Sequence, residues 1–206
     1  MSTLLNSLAA AGPLAAGWTA HTVWLRRSLH RARRDPLTGL RTRDGFTRRA
    51  TALLKDRRAV VILADVDRFK QINDTHGHAA GDALLAAVAA RLAHAVTPGG
   101  VAGRLGGDEF AAVVIDRDGT MADRLHTLAR VLARSVDTAP AVHTTVSLGW
   151  VRAADHPGED LSTLLRRADE AMYAAKRSGR PGPYRARLGR LLGSVAGRRP
   201  GRRGAA

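Results

Sequence analysis

Cysteine is missing from all 206 residues, aromatic side chains make up only 4% of them, and the first 25 positions hold no Asp, Glu, Lys or Arg. The first absence excludes disulfides, a thiolate nucleophile and Cys-ligated zinc, and it suits a reducing compartment. The second leaves few rings for stacking on nucleic-acid bases. The third leaves "LLNSLAAAGPLAAGWTAHTVWL" long enough to cross a bilayer, which takes roughly 20 apolar residues. No basic stretch precedes it, so a secretory signal is not expected. Asn6, Pro13 and His21 interrupt an Ala-rich rather than Leu-rich run. Two readings stand for residues 1–25. One is a membrane anchor whose following arginines stay cytoplasmic; the other is an amphipathic, dimerising helix, although no heptad is sustained.

Acidic residues are equally absent from both flanks. Residues 26–34 hold five arginines and residues 180–206 hold eight, with no acid in either. The formal charge of +15 therefore sits mostly outside the middle of the chain. Positions 35–179 carry all 18 acids against the 20 remaining basic residues. Basic flanks suit phosphate or anionic lipid, but the nearly balanced body is not a basic groove, and no specific nucleic acid is expected. Three parts follow: an N-terminal helix and basic linker (1–34), a globular domain (35–180), and a basic, disordered tail (181–206) with room for a short helix near 185–195.

Within the globular part, "DPLTGL" reads as a turn. "TRDGFTRRATALL" reads as a helix with Phe46, Ala50, Leu53 and Leu54 on one face. "AVVILADVD" is a continuous apolar run ending in acids, as expected of a buried strand. Residues 73–82 read as a loop, followed by a helix through Leu84, Leu85, Val88 and Leu92 with Asp82 as its N-cap. "VAGRLGGDEFAAVVI" reads as strand, Gly-Gly turn and strand. Next come an amphipathic helix through Leu125, Leu128 and Leu132, an alternating strand in "VHTTVSLGWV", and a last helix ending at Gly179. The expected fold class is α+β, a mixed β-sheet flanked by helices.

Two acidic clusters then fall at the mouths of core elements, Asp65 with Asp67 and Asp108 with Glu109. If strand and hairpin are sheet neighbours, Asp65 and Asp108 converge. Converging carboxylates need a cation or a proton, and hard oxygens without cysteine favour Mg²⁺. His76 and His78 lack a third ligand at site spacing, so they read as structural rather than as a zinc site. Phe69 and Phe110 read as core, and Arg104 as a brace for the hairpin.

Four stretches, "DPLTGL", "DVDRFKQINDTHGHAAGD", "RLGGDEF" and "AMYAAKRSGR", in this order and at these separations, closely resemble the GGDEF domain of diguanylate cyclases. The resemblance covers about 35–180. It implies a fold like the palm of nucleotidyl cyclases and polymerases, and an activity joining two GTP into cyclic di-GMP with release of pyrophosphate, one half-site from each subunit of a homodimer. It makes Asp65, Asp108 and the Val66 carbonyl ligands of two Mg²⁺ ions per site, with Mn²⁺ as a substitute. Glu109 would either help the 3′-hydroxyl lose its proton or orient its neighbours. Asn73 and Asp82 match the guanine-recognising pair, Lys70, Lys176 and Arg180 match triphosphate contacts, and His78 holds the family's nucleotide-adjacent "GH" position.

Two positions depart from the family pattern. Thr97 and Gly100 stand where many members carry an inhibitory Arg-x-x-Asp, so product inhibition through that site is not expected. Thr42 stands where Asn is usual. Two rivals remain: a GTP-binding regulatory module without catalysis, and a basic adaptor acting through its flanks.

Overall fold

The computed structural model describes residues 33–136, 141–178 and 183–186, together with Trp18 and His21. Its strands are β1 (Ala59–Val66), β2 (Val101–Gly106), β3 (Glu109–Ile115), β4 (Val146–Arg152) and β5 (Pro183–Arg185). Its helices are α1 (Arg43–Leu53), α2 (Phe69–His76), α3 (His78–Val96), α4 (Met121–Leu132) and α5 (Leu161–Ser178). The strands form one sheet in the order β2-β3-β1-β4-β5. All pairings are antiparallel except β4 with β5. This is the mixed α+β sheet expected from the sequence.

β1 is buried along its whole length because both faces of the sheet are covered. Val60, Ile62, Ala64 and Val66 join a core with Leu84, Leu85, Val88 and Leu92 of α3 and Leu125 and Leu132 of α4. Ala59, Val61 and Leu63 join the opposite core with Phe46 and Ala50 of α1 and Leu164, Ala168 and Met172 of α5. Alternate side chains of a strand point to opposite faces. The continuous apolar run is therefore a double alternation.

α5 approaches the sheet closely at Gly149, where an added Cβ would lie 1.9 Å from the Ala168 carbonyl oxygen. No side chain fits between that strand and that helix, so the last turn of α5 is drawn toward the end of β1. Phe110 is fully buried and Phe69 packs partly buried against the core, as expected. Arg104 braces the hairpin through Nε and Nη2, which donate to the Gly107 carbonyl at 2.9 and 2.8 Å. Its Nη1 also reaches Asp35 at 3.1 Å. Asp35 in turn accepts from the Thr38 amide and hydroxyl within "DPLTGL".

Three expectations are corrected. Residues 73–82 are not a loop, since α2 and α3 fill them and Gly77 alone separates the two helices. Helix α2 buries only Ile72, which is too little for an apolar period to show. Asp82 is not an N-cap: α3 starts at His78 behind Gly77, which leaves Asp82 exposed in its second turn. The tail is not wholly irregular, because Pro183–Arg185 pair in parallel with Leu148–Trp150, and the Ala186 amide donates to the Trp150 carbonyl at 2.8 Å. An edge strand accepts a proline that a central strand would not.

Among the described residues, only α3 is long and apolar enough to cross a membrane, and Leu84, Leu85, Val88 and Leu92 place it in the core. Apart from Trp18 and His21, the candidate span at 1–25 lies outside the described residues, as do the linker up to residue 32 and residues 187–206.

Candidate active site

The site is built where β1 ends beside the β2–β3 hairpin. Asp65 and Glu109 are direct cross-strand partners, so their side chains share one face. The Val66 amide donates to the Asp108 carbonyl at 3.3 Å, tying the hairpin turn to the strand end. Strand parity puts Asp65 on the side of Val61 and Leu63, toward α5. Lys176, in the last turn of α5, answers it: Nζ lies 2.5 Å from Asp65 Oδ1 and 3.6 Å from Asp67 Oδ1. Asp65 is only 8% exposed. Burial pushes its carboxyl up; Lys176 opposes that rise, while Asp108 and Glu109 add to it.

Asp67 is held by the neighbouring strand. The Thr145 hydroxyl donates to its Oδ2 at 2.5 Å and the Ser147 hydroxyl to its Oδ1 at 2.7 Å. Its amide donates to the Thr145 carbonyl and its carbonyl accepts from Thr144 Oγ1, both at 2.9 Å. No local pattern in the sequence around Asp67 discloses this clamp, since the partners lie 78 and 80 positions away. The alternation in "VHTTVSLGWV" carried the signal, because Thr145 and Ser147 occupy its polar phase.

On α2, Lys70 is exposed in the first turn, and Asn73 one turn later is half-buried. Asn73 Oδ1 is buried without a hydrogen-bond partner. Its side chain lies over Gly81 of α3, where an added Cβ would come within 1.9 Å of Oδ1. Gly81 is thus a site-shaping residue that the motif contained but its chemistry did not single out. Asp82 and His78 are exposed on the first two turns of α3. Arg180 lies outside the described residues. The structure therefore gathers Asp65, Val66, Asp108, Glu109 and Lys176 at one strand end. Lys70, Asn73, His78 and Asp82 occupy the two helices that follow β1.

Among the described residues, no three His, Cys, Asp or Glu side chains form a metal cage. The donors present are carboxylate and carbonyl oxygens. Mg²⁺ is commonly held by one or two carboxylates and completed by water and phosphate. A lysine ammonium already drawn onto Asp65 shows that this carboxylate attracts a cation. The residues fit such an ion.

The family model for the GGDEF domain of diguanylate cyclases matches residues 32–181. The chain belongs to the GGDEF diguanylate cyclase family. The chain is 47% identical over 172 residues to a 19.3 kDa protein of the repSA 5′ region of Streptomyces ambofaciens, covering 83% of this chain and 93% of that one. It is 39% identical over 171 residues to the response regulator PleD of Caulobacter vibrioides, covering 76% of this chain but only 36% of PleD. The GGDEF domain of DgcB from Caulobacter crescentus, solved with c-di-GMP, superposes with a TM-score of 0.68 at 30% identity, over 75% of this chain and 96% of that one. Enzyme class follows from membership: this is a diguanylate cyclase domain.

Proposed function

We propose that the chain condenses two GTP molecules into one cyclic di-GMP and two pyrophosphates, as a homodimer whose two sites face each other. In each half-reaction a 3′-hydroxyl oxygen bonds to the α-phosphorus of the opposite GTP. The bond from that phosphorus to the bridging oxygen breaks, and pyrophosphate leaves. Asp65, Asp108 and the Val66 carbonyl would hold Mg²⁺ (or Mn²⁺), two ions per site. Such an ion would supply charge neutralisation for the attacking and leaving oxygens.

The rest falls to the chain itself. Glu109, opposite Asp65 in the sheet, either accepts the hydroxyl proton or orients the acids beside it. Lys70, Lys176 and Arg180 would balance triphosphate charge. Asn73 and Asp82 would read guanine. A carboxylate accepts from guanine N1–H and N2–H, whereas adenine presents a bare nitrogen to the same oxygen. The partnerless Asn73 Oδ1 supports this, since buried polar atoms ordinarily have partners and a base N–H would supply one. His78 would sit beside the nucleotide. The domain would work in the cytoplasm, where its substrate is, with residues 1–25 as the segment that could bring it to the inner membrane face.

The observation that carries this reading is the lock of Asp65 against the Asp108–Glu109 turn. To test it, purified protein is incubated with GTP and Mg²⁺ over a range of protein concentrations. Cyclic di-GMP should form, with specific activity falling steeply on dilution. A demonstrably dimeric sample that binds GTP without releasing pyrophosphate would instead be a regulatory module.

A further inference from the structure

Lys176 is expected at the triphosphate, yet its ammonium group sits on the Asp65 carboxylate. We infer that Lys176 and a divalent ion are alternating partners of Asp65, and that Asp67 is the positioning residue that parks the lysine there when the ion is absent. The inference rests on the metal-site reading above.

Asp65 is buried opposite Glu109 and next to the Asp108 turn, so a cation or a proton must offset the clustered negative charge. Lys176 Nζ does so at 2.5 Å from Oδ1. An ion bound to the same carboxylate would bring a second positive charge against the ammonium, and the two repel strongly in a partly dry site. The lysine must then leave. Its four-carbon stem rises from the last turn of α5, so the head can move while the helix stays packed on Gly149.

Asp67 is placed differently. The hydroxyls of Thr144, Thr145 and Ser147 and one backbone bond fix it to the start of β4 and the two residues before it. Its Oδ1, already accepting from Ser147, faces Nζ at 3.6 Å. That makes it a guide for the lysine rather than a carboxylate free to swing onto metal. Loading the ion would thus deliver Lys176 to the incoming phosphates, coupling metal entry to nucleotide capture.

The chain has only three lysines, Lys55, Lys70 and Lys176, so selective ¹³C-lysine labelling of the whole protein gives a spectrum of three side-chain signals, assigned with Lys55→Arg and Lys70→Arg. Without nucleotide, Mg²⁺ should shift the Lys176 Cε signal and leave that of Lys55 in place. In Asp67→Asn the Lys176 signal should already be displaced before Mg²⁺ is added. By calorimetry, Lys176→Met should bind Mg²⁺ about tenfold more tightly without nucleotide, yet bind GTP more weakly. A Lys176 signal that stays fixed while calorimetry records Mg²⁺ binding overturns the exchange and leaves the cyclase reading intact, as does an unchanged Mg²⁺ affinity in Lys176→Met. A protein that binds no Mg²⁺ with or without GTP overturns both. Should Lys176→Met not fold, the wild-type spectrum alone decides.

Discussion

Replacing Gly81 by alanine should separate recognition from folding. The added methyl would lie 1.9 Å from Asn73 Oδ1, 3.0 Å from Asn73 Cγ and 3.2 Å from Phe69 Cε2. The nearest obstacle is the end of a side chain, so Asn73 can rotate away without moving the backbone. Alanine also suits a helix interior better than glycine by about 1 kcal/mol. Contact with the Phe69 ring takes back part of that gain. Net stability should stay within about 1 kcal/mol of the parent, a shift of roughly 2–4 °C for a chain of this size.

Recognition should fare worse, because a displaced amide loses its bond to the base. One such bond is worth about 1–1.5 kcal/mol, close to a tenfold rise in KM for GTP. Steady-state pyrophosphate release and thermal melting of Gly81→Ala, Asn73→Ala and the double variant would read both quantities. The double variant should be no worse than Asn73→Ala alone, since both changes remove the same contact. An unchanged KM in Gly81→Ala beside a raised KM in Asn73→Ala would refute the steric argument.

Three further perturbations bear on other parts of the molecule. Asp108→Asn should lower cyclic di-GMP formation at least about 100-fold while melting within a few degrees of the parent, measured by chromatography and calorimetry; near-normal turnover would remove Asp108 from the site. Arg104→Ala frees the Gly107 carbonyl and strips Asp35 of its ion pair, with side chains 16% and 18% exposed. Urea unfolding should record a loss of about 1.5–3 kcal/mol, and a loss below about 0.5 kcal/mol would show that the brace is idle. Arg167, bonded through both Nε and Nη2, holds the Glu159 carboxyl below its ordinary 4.5. A depressed folded-state value means stability that is full above pH 4.5 and drains as the pH falls through the lowered value. Arg167→Met should flatten that acid limb in stability-against-pH curves, and superimposable limbs would discount the pair.

The parts of the fold that the sequence announced are those whose packing repeats a simple period. β1 is an unbroken apolar run because helices cover both its sides, and the hairpin declares itself by Gly-Gly between two apolar stretches. The region from Phe69 to Asp82 hid α2 and the first turn of α3, because α2 rests on little more than Ile72 and its remaining polar residues resemble a loop. β5 hid behind prolines and a basic tail. At the site, the residue types were readable from the four motifs, as was the meeting of Asp65 with the hairpin. The grip of Thr145 and Ser147 on Asp67, the seat of Asn73 over Gly81 and the resting place of Lys176 were not. Each joins positions whose closeness exists only once strands and helices have been laid side by side.

The ladder between β1 and β3 runs unbroken from Ala59 opposite Ile115 to Asp65 opposite Glu109. It therefore acts as a ruler whose zero mark lies at the end of the sheet remote from the acids. Deleting one residue between Phe110 and Val113 would set Asp108 opposite Asp65, and adding one there would bring an apolar residue to that place and turn Glu109 to the other face. Evolution could lengthen the far loops of this domain freely, but it could not lengthen that hairpin by a single step without dismantling the chemistry.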